Sequence, residues 1–358
     1  APEGRGAAGA GSAAGNMVIS KEALQATLLR PHQALPNGRA YALHPSMGGL
    51  AQLFNDGKAA VQLNVGPLVV PLTRAQYNSG NTQRYPLPPK LFSHNDQQSV
   101  WQSLSPEGST VGWGGRLGDQ VMSDNTESLF TCISITGNSV FLSGNQALQY
   151  QCSASGAIPV KPLQPQDWMM PNANMREAFQ ALIQQSSPHV LQNAYTSVMK
   201  RALVAESKVS NAIARVQLRT GFTSNNLSNQ LKMVARLIGA RQSLANKRQV
   251  FMVSIGGFDL HDNLVSKQPG LLREVDTALT SFFKATEELG VSDQVTTFTA
   301  SDFGRTLTSN GDGSDHGWGS HHFVMGGGLK GAQFYGEAPP VSAGDSNSAE
   351  DQWHVGQG

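Results

Sequence analysis

The sequence predicts an α/β fold: a mostly parallel sheet flanked by helices, with a β-hairpin region and long helices inserted. Three observations predict it. Helical apolar periods alternate with short apolar, β-prone runs along most of the chain. Residues 249–255, 269–289 and 294–300 read as strand, helix and strand, the order of a parallel βαβ crossover. Residues 296–328 pack three Asp, three His and one Arg between two strand-like runs, the position at which an open α/β sheet presents ligands.

The elements follow in order. Residues 1–16 are small and almost free of large apolar side chains, so they cannot bury enough surface to offset ordering entropy and read as a flexible segment. Residues 21–29 can form a helix with Ser20 as N-cap and Glu22 in its first turn. Residues 45–56 carry Met47, Leu50, Leu53 and Phe54 at helical spacing, and residues 59–70 form a buried-strand run. A further helix starts at Ser93, a natural N-cap. Residues 130–151 read as β-hairpins punctuated by Gly137, Asn138 and Gly144. Residues 175–247 are strongly helical, as two long helices broken near 221–226. One domain over residues 17–340 is expected, with a second flexible segment at 341–358.

Composition narrows the function. The 358 residues are 39% hydrophobic and 14% charged, with net charge +1 and pI about 8.0, so no basic stripe or acidic tail points to nucleic acid or anionic membrane. No apolar run reaches the roughly 18 residues needed to span a bilayer. Cys132 and Cys152 read either as one disulfide or as two buried thiols.

The chemistry-bearing residues concentrate after residue 250. The run to Ile255 leads into GGFDLHDN, where Asp259 and His261 fall on one side of an extended segment and can share a cation. Gly256 and Gly257 allow a tight turn there. Asp262 caps a turn, and Asp312 in NGDG is turn chemistry. If residues 249–255 and 294–300 are adjacent parallel strands, Asp259 and Asp302 emerge side by side. Two carboxylates and two imidazoles, from Asp259, Asp302, His261 and His316, would then hold a divalent pair, their ligand atoms converging within about 5 Å of a common point, with Asp315 a further candidate ligand. His321 and His322 are further ligands or loop residues. Arg305 can fork onto a phosphate or sulfate oxygen, or lock the loop through Asp302 or Asp315. Ser93, at a helix N-terminus, sits where a nucleophile would be favoured, and His94 beside it reads as a base, a ligand or a solvated neighbour of the cap. No GxSxG elbow occurs.

Taken in order, LHPSMGGLAQLFNDGKAAVQLNVG, LFSHNDQQSVWQS, GWGGRLGD, GGFDLHDN and TASDFGRTLTSNGDGSDHGWGSHHFVMGGGLKGAQFYG resemble the bacterial family called domain of unknown function 1501 across most of residues 40–336. That resemblance implies an alkaline phosphatase and sulfatase type of fold, and a twin-arginine export signal in full-length members, hence a periplasmic or secreted home. By analogy it implies metal-dependent hydrolysis of small anionic esters, with zinc, calcium, magnesium or manganese as the divalent cation. It matches Asp259, His261, Asp302 and His316 to the family's acidic and histidine positions, and Ser93 and His94 to its SH block. The expected opening strand with a glycine-rich, Asp-containing turn, and a closing strand and helix, would lie outside this chain. The chain therefore reads as an internal fragment short of one first-strand ligand. The alternative is a non-catalytic exported or envelope protein that retains the fold and a structural cation.

Overall fold

A computed structural model describes residues 19–91, 93–105, 108–317 and 319–337, so the expected flexible segments at 1–16 and 341–358 lie outside the described residues. Ser20 caps α1 (Lys21–Leu24) by accepting the Ala23 N–H, and the chain then tightens into a 3-10 turn. Helix α2 (Gly48–Asn55) buries Leu50, Leu53 and Phe54 as their spacing predicts. Strand β1 (Ala59–Val65) follows, then α3 (Arg74–Asn78), opened by a Thr73 and Gln76 capping box, and α4 (His94–Ser103), capped by Ser93. Next come α5 (Trp113–Val121), β2 (Cys132–Ser134), β3 (Gln149–Ser153) and β4 (Gly156–Ala157). Helices α6 (Ala173–Ile183), α7 (Val190–Ala214) and α8 (Asn226–Gly239) precede β5 (Val250–Met252) and α9 (Leu264–Glu288). The last elements among the described residues are β6 (Thr297–Phe298), β7 (Gly304–Ser309), β8 (Ser314–Gly317), β9 (Ser320–Met325) and β10 (Phe334–Tyr335).

The architecture is mixed α/β, with several small mixed sheets in place of the mostly parallel sheet expected. Tertiary contacts divide the chain into two compact units. Among the described residues the first comprises 19–112, 219–228 and 254–337. Its sheet has the order β10-β1-β9-β6, with β1 parallel to β10 and antiparallel to β9. β1 ends at Val65, short of the expected Val70: Asn64, with a left-handed φ of 56°, falls where the register with β9 shifts, and Pro67 has no N–H to give a ladder. Against this sheet α2 packs on α9, where buried Asp276 accepts the N–H groups of Gly49 and Leu50 at 3.2 and 2.6 Å. Those are orphan donors of the first turn, so one carboxylate fixes the start of a helix distant in sequence. Burial still raises the Asp276 carboxyl above its ordinary range.

At the other end of α9, Glu288 accepts the Thr220 hydroxyl at 2.6 Å and the N–H groups of Arg219 and Thr220 at 2.7 and 2.8 Å. These bonds, the Thr220 hydroxyl first, hold its pKa at about 2 against an ordinary 4.5. A depressed folded pKa contributes stability that is present above the unfolded value and lost as pH falls through the folded one. Urea midpoints are therefore expected to drop between about pH 4.5 and pH 2. In Glu288→Gln that drop should shrink measurably, whereas an unchanged pH profile would remove this carboxylate from the account.

The second unit comprises residues 113–218 and 229–253. Its sheet has the order β4-β3-β2-β5, in which β2 is parallel to both β3 and β5. Residues 130–151 are thus not the expected hairpins: the antiparallel pair is β3 with β4, and β2 reaches β3 through a longer connection. The expected pair of long helices is three, since the chain also breaks between α6 and α7 at SSPH, where Pro188 supplies no N–H. Cys132 and Cys152 are buried free thiols, and burial lifts both pKa values to about 11, so they stay protonated at neutral pH.

Glycines let α5 pack closely in this unit. On α5, Gly114 faces the Phe141 ring, Gly118 faces the Cys132 sulfur, and Gly115 lies so near the Ser143 backbone that a Cβ would come within 2.1 Å of it. Asp119 from the same helix accepts the N–H groups of Asn145, Gln146 and Ala147 at 2.7, 2.9 and 2.7 Å, pinning the following loop.

The predicted βαβ crossover does not form. β5 pairs with β2, while β6 pairs antiparallel with β9, so residues 249–255 and 294–300 belong to different sheets. β6 is only two residues long, and its partner is the strand just after the polar cluster, a local antiparallel pairing with little loop entropy to overcome. Among the described residues no helix is long and apolar enough to cross a membrane.

Candidate functional site

The polar cluster is not the loop that composition suggested. It folds into a β7–β8 hairpin whose register sets Arg305 opposite His316. Asn310 builds the turn by accepting the Gly313 N–H at 3.0 Å, and Gly311 takes a φ of 122°. Gly313 lets the hairpin meet the chain at residues 260–261 almost backbone to backbone: a Cβ there would lie 2.5 Å from the Leu260 and His261 carbonyl oxygens. The Asn310 amide also donates to the His261 carbonyl at 3.1 Å. The hairpin is therefore fastened to the segment that carries Asp259 and His261, and Gly257 with a φ of 91° supplies the turn before it.

Asp259 is the hub. Its Oδ1 receives Arg305 Nη1 at 2.9 Å, His316 Nε2 at 2.8 Å and His261 Nε2 at 2.9 Å, while Oδ2 faces His94 Nε2 at 3.6 Å. Partial burial alone would push this carboxyl up, but hydrogen bonds from His316 and Arg305 and the charge of His261 outweigh it and hold the group below its ordinary range. Around the hub lie two more carboxylates, each turned to the far nitrogen of an imidazole. Asp302 Oδ2 pairs with His94 Nδ1 at 2.8 Å and receives Gln98 Nε2 at 3.4 Å. Asp315 Oδ1 pairs with His261 Nδ1 at 3.3 Å and receives Asn310 Nδ2 at 3.1 Å. The Asn310 bond leads the causes that lower the Asp315 carboxyl.

Aromatic packing holds the rings. Phe303 stacks on His316 with centroids 4.6 Å apart and meets His94 edge-on at 5.4 Å. Arg305 is anchored by Nε donating to Ser314 Oγ at 3.0 Å and by Nη2 donating to the Ser314 carbonyl.

The structure thus gathers Asp259, His261, Asp302, Asp315, His316, Arg305 and His94. It does so without the adjacent parallel strands that were expected to bring Asp259 and Asp302 together: His94, from the N-terminus of α4, bridges them. Ser93 immediately precedes that ring, and its Oγ accepts the Asp96 N–H at 3.4 Å, the helix cap expected. His321 and His322 do not join. Their Nδ1 atoms meet the Asn64 N–H at 3.0 Å and the Thr299 hydroxyl at 3.2 Å, within and beside the sheet. Sequence reasoning missed Gln98, Phe303, Asn310 and Gly313. A period signal exists only for Gln98, one turn beyond His94 on the same helix.

His94, Asp259 and His316 each offer a ligand atom, and the three atoms lie within 4.8 Å of one another. Two imidazole nitrogens and a carboxylate oxygen suit a divalent transition metal, so the donor set fits a cation. The family model described as Protein of unknown function (DUF1501) matches residues 20–356. The chain belongs to this family. The match spans both compact units and every residue of the cluster. No curated protein and no solved structure matches it.

Proposed function

We propose that this DUF1501 protein is a metal-dependent hydrolase of phosphate or sulfate esters with an alkaline phosphatase type of fold, working in the periplasm or outside the cell. The observation that carries the reading is the convergence of three donor atoms from His94, Asp259 and His316 within 4.8 Å. A bound divalent cation, zinc, calcium, magnesium or manganese, supplies a Lewis acid that polarises the ester and lowers the pKa of the attacking group. The chain's own groups divide the remaining work. Ser93, one residue before His94, is the attacking hydroxyl, and its position at a helix N-terminus favours negative charge nearby. Arg305, held rigid through Ser314, offers a planar cation beside Asp259 that suits a tetrahedral oxyanion. His261, braced by Asp315, keeps the Asp259 carboxylate oriented.

Assays with aryl phosphate and aryl sulfate, with each of the four cations in turn, test the reading. Cation-dependent turnover is expected, falling at least ~100-fold in Ser93→Ala and in His316→Ala. Cation binding without turnover would favour the non-catalytic envelope protein with a structural cation instead.

A further inference from the structure

Resting on the reading of the cluster as a metal site, we infer that it takes a single zinc-class cation on His94, Asp259 and His316, with Asp302 a positioning residue for His94 and not a ligand. The carboxylates decide the stoichiometry. Asp259 lies 3.6 Å from His94 Nε2 and 2.8 Å from His316 Nε2, and these three residues each offer a ligand atom within 4.8 Å of the others. Asp302 and Asp315 each pair with an imidazole Nδ1, of His94 and His261, and each receives a side-chain amide. Two divalent cations a few ångströms apart need several carboxylates between them to offset their repulsion. Here the carboxylate among the donor imidazoles already has the Arg305 guanidinium 2.9 Å away, and Asp302 and Asp315 are engaged by His94 and His261.

A single cation meets a better match. Tetrahedral zinc with bonds of about 2.0–2.1 Å holds its ligand atoms roughly 3.4 Å apart, a spacing the three donors reach with small shifts. Three protein ligands leave one position open, the pattern of catalytic zinc sites. In the ligating form His94 Nδ1–H donates to Asp302 at 2.8 Å and Nε2 presents its lone pair, so the carboxylate sets both tautomer and ring direction. Phe303 does the second of these for His316 by stacking. Imidazole donors favour zinc over calcium and magnesium, which take oxygen ligands.

The test is metal titration of the full chain by calorimetry, with stoichiometry from elemental analysis and the visible spectrum of the cobalt-substituted protein. One equivalent of zinc is expected, with magnesium and calcium at least ~100-fold weaker. Asp302→Ala should weaken zinc by ~10–100-fold at unchanged stoichiometry and with a four-coordinate cobalt spectrum retained. Asp302→Asn, which keeps an acceptor for Nδ1–H, should restore most of the affinity, while His94→Ala should lose binding. Two equivalents of zinc, tighter binding of magnesium or calcium, or loss of binding in Asp302→Asn would overturn the inference while leaving a metal site in place. Failure of the wild-type chain to bind any of these cations would overturn the metal-site reading itself.

Discussion

Asp259→Ala is expected to lose divalent cation binding by ~1000-fold or more and to abolish cation-dependent ester hydrolysis. The size follows from where the carboxylate sits. Removing an outer partner of a ligating histidine costs ~10–100-fold in metal affinity, and Asp259 is the carboxylate on which His94, His261, His316 and Arg305 all converge. Its loss leaves cationic and imidazole groups facing one another with nothing to offset the charge of an incoming cation. The fold, by contrast, should survive. The Asp259 side chain is 42% exposed, so the pairs it makes are worth ~1 kcal/mol or less to stability. Arg305 keeps two bonds to Ser314 after the substitution. Circular dichroism and the urea midpoint should therefore match wild type while calorimetry shows no cation uptake. Retained binding in a folded Asp259→Ala chain would dismiss the cluster as the centre.

Gly115→Ala is expected to destabilise the chain by ~3 kcal/mol or more, although alanine is the better helix former. The intrinsic preference favours the substitution by ~1 kcal/mol. Opposing it, the added methyl would lie 2.1 Å from the Ser143 carbonyl carbon and oxygen and 2.3 Å from the Gly144 nitrogen. Those are backbone atoms of a segment that Asp119 pins through three N–H groups, so the neighbour cannot yield cheaply. Overpacking of this kind ordinarily costs ~1–3 kcal/mol, and backbone contacts stand at the upper end. Gly114→Ala makes the comparison informative, because its new methyl would meet the edge of the Phe141 ring, 2.5 Å away, and a ring can turn. Thermal or urea unfolding should rank Gly115→Ala well below Gly114→Ala. Equal stabilities would show that α5 does not approach the loop this closely.

Local signals were legible in the chain and long-range pairings were not. The Ser20 and Ser93 caps and the apolar spacing of Leu50, Leu53 and Phe54 depend on neighbours within a turn, so composition and period reveal them. The pairing of β6 with β9 instead of β5 depends on which distant edge is available, and a two-residue strand carries almost no pattern. Helix α5 stayed hidden for a different reason. Its GWGGRLGDQV run is poor in helix formers, and only the tight packing that its glycines permit explains it. The cluster was visible as a concentration of Asp, His and Arg. What those residues do to one another was not, since the assignment of Asp302 to His94 Nδ1 and of Asp315 to His261 Nδ1 is set by ångström-scale placement.

The grip of Gly313 on residues 260–261 makes the donor set a product of the finished tertiary structure. His94, Asp259 and His316 are strangers along the polypeptide, and no short stretch of it holds two of the three in the right relation. If the proposed ion is captured by all three, it would be bound by the native chain alone, and its uptake would be tied to the folding equilibrium by mass action. In an environment where the ion is scarce, that linkage would leave the protein's endurance governed by supply from outside.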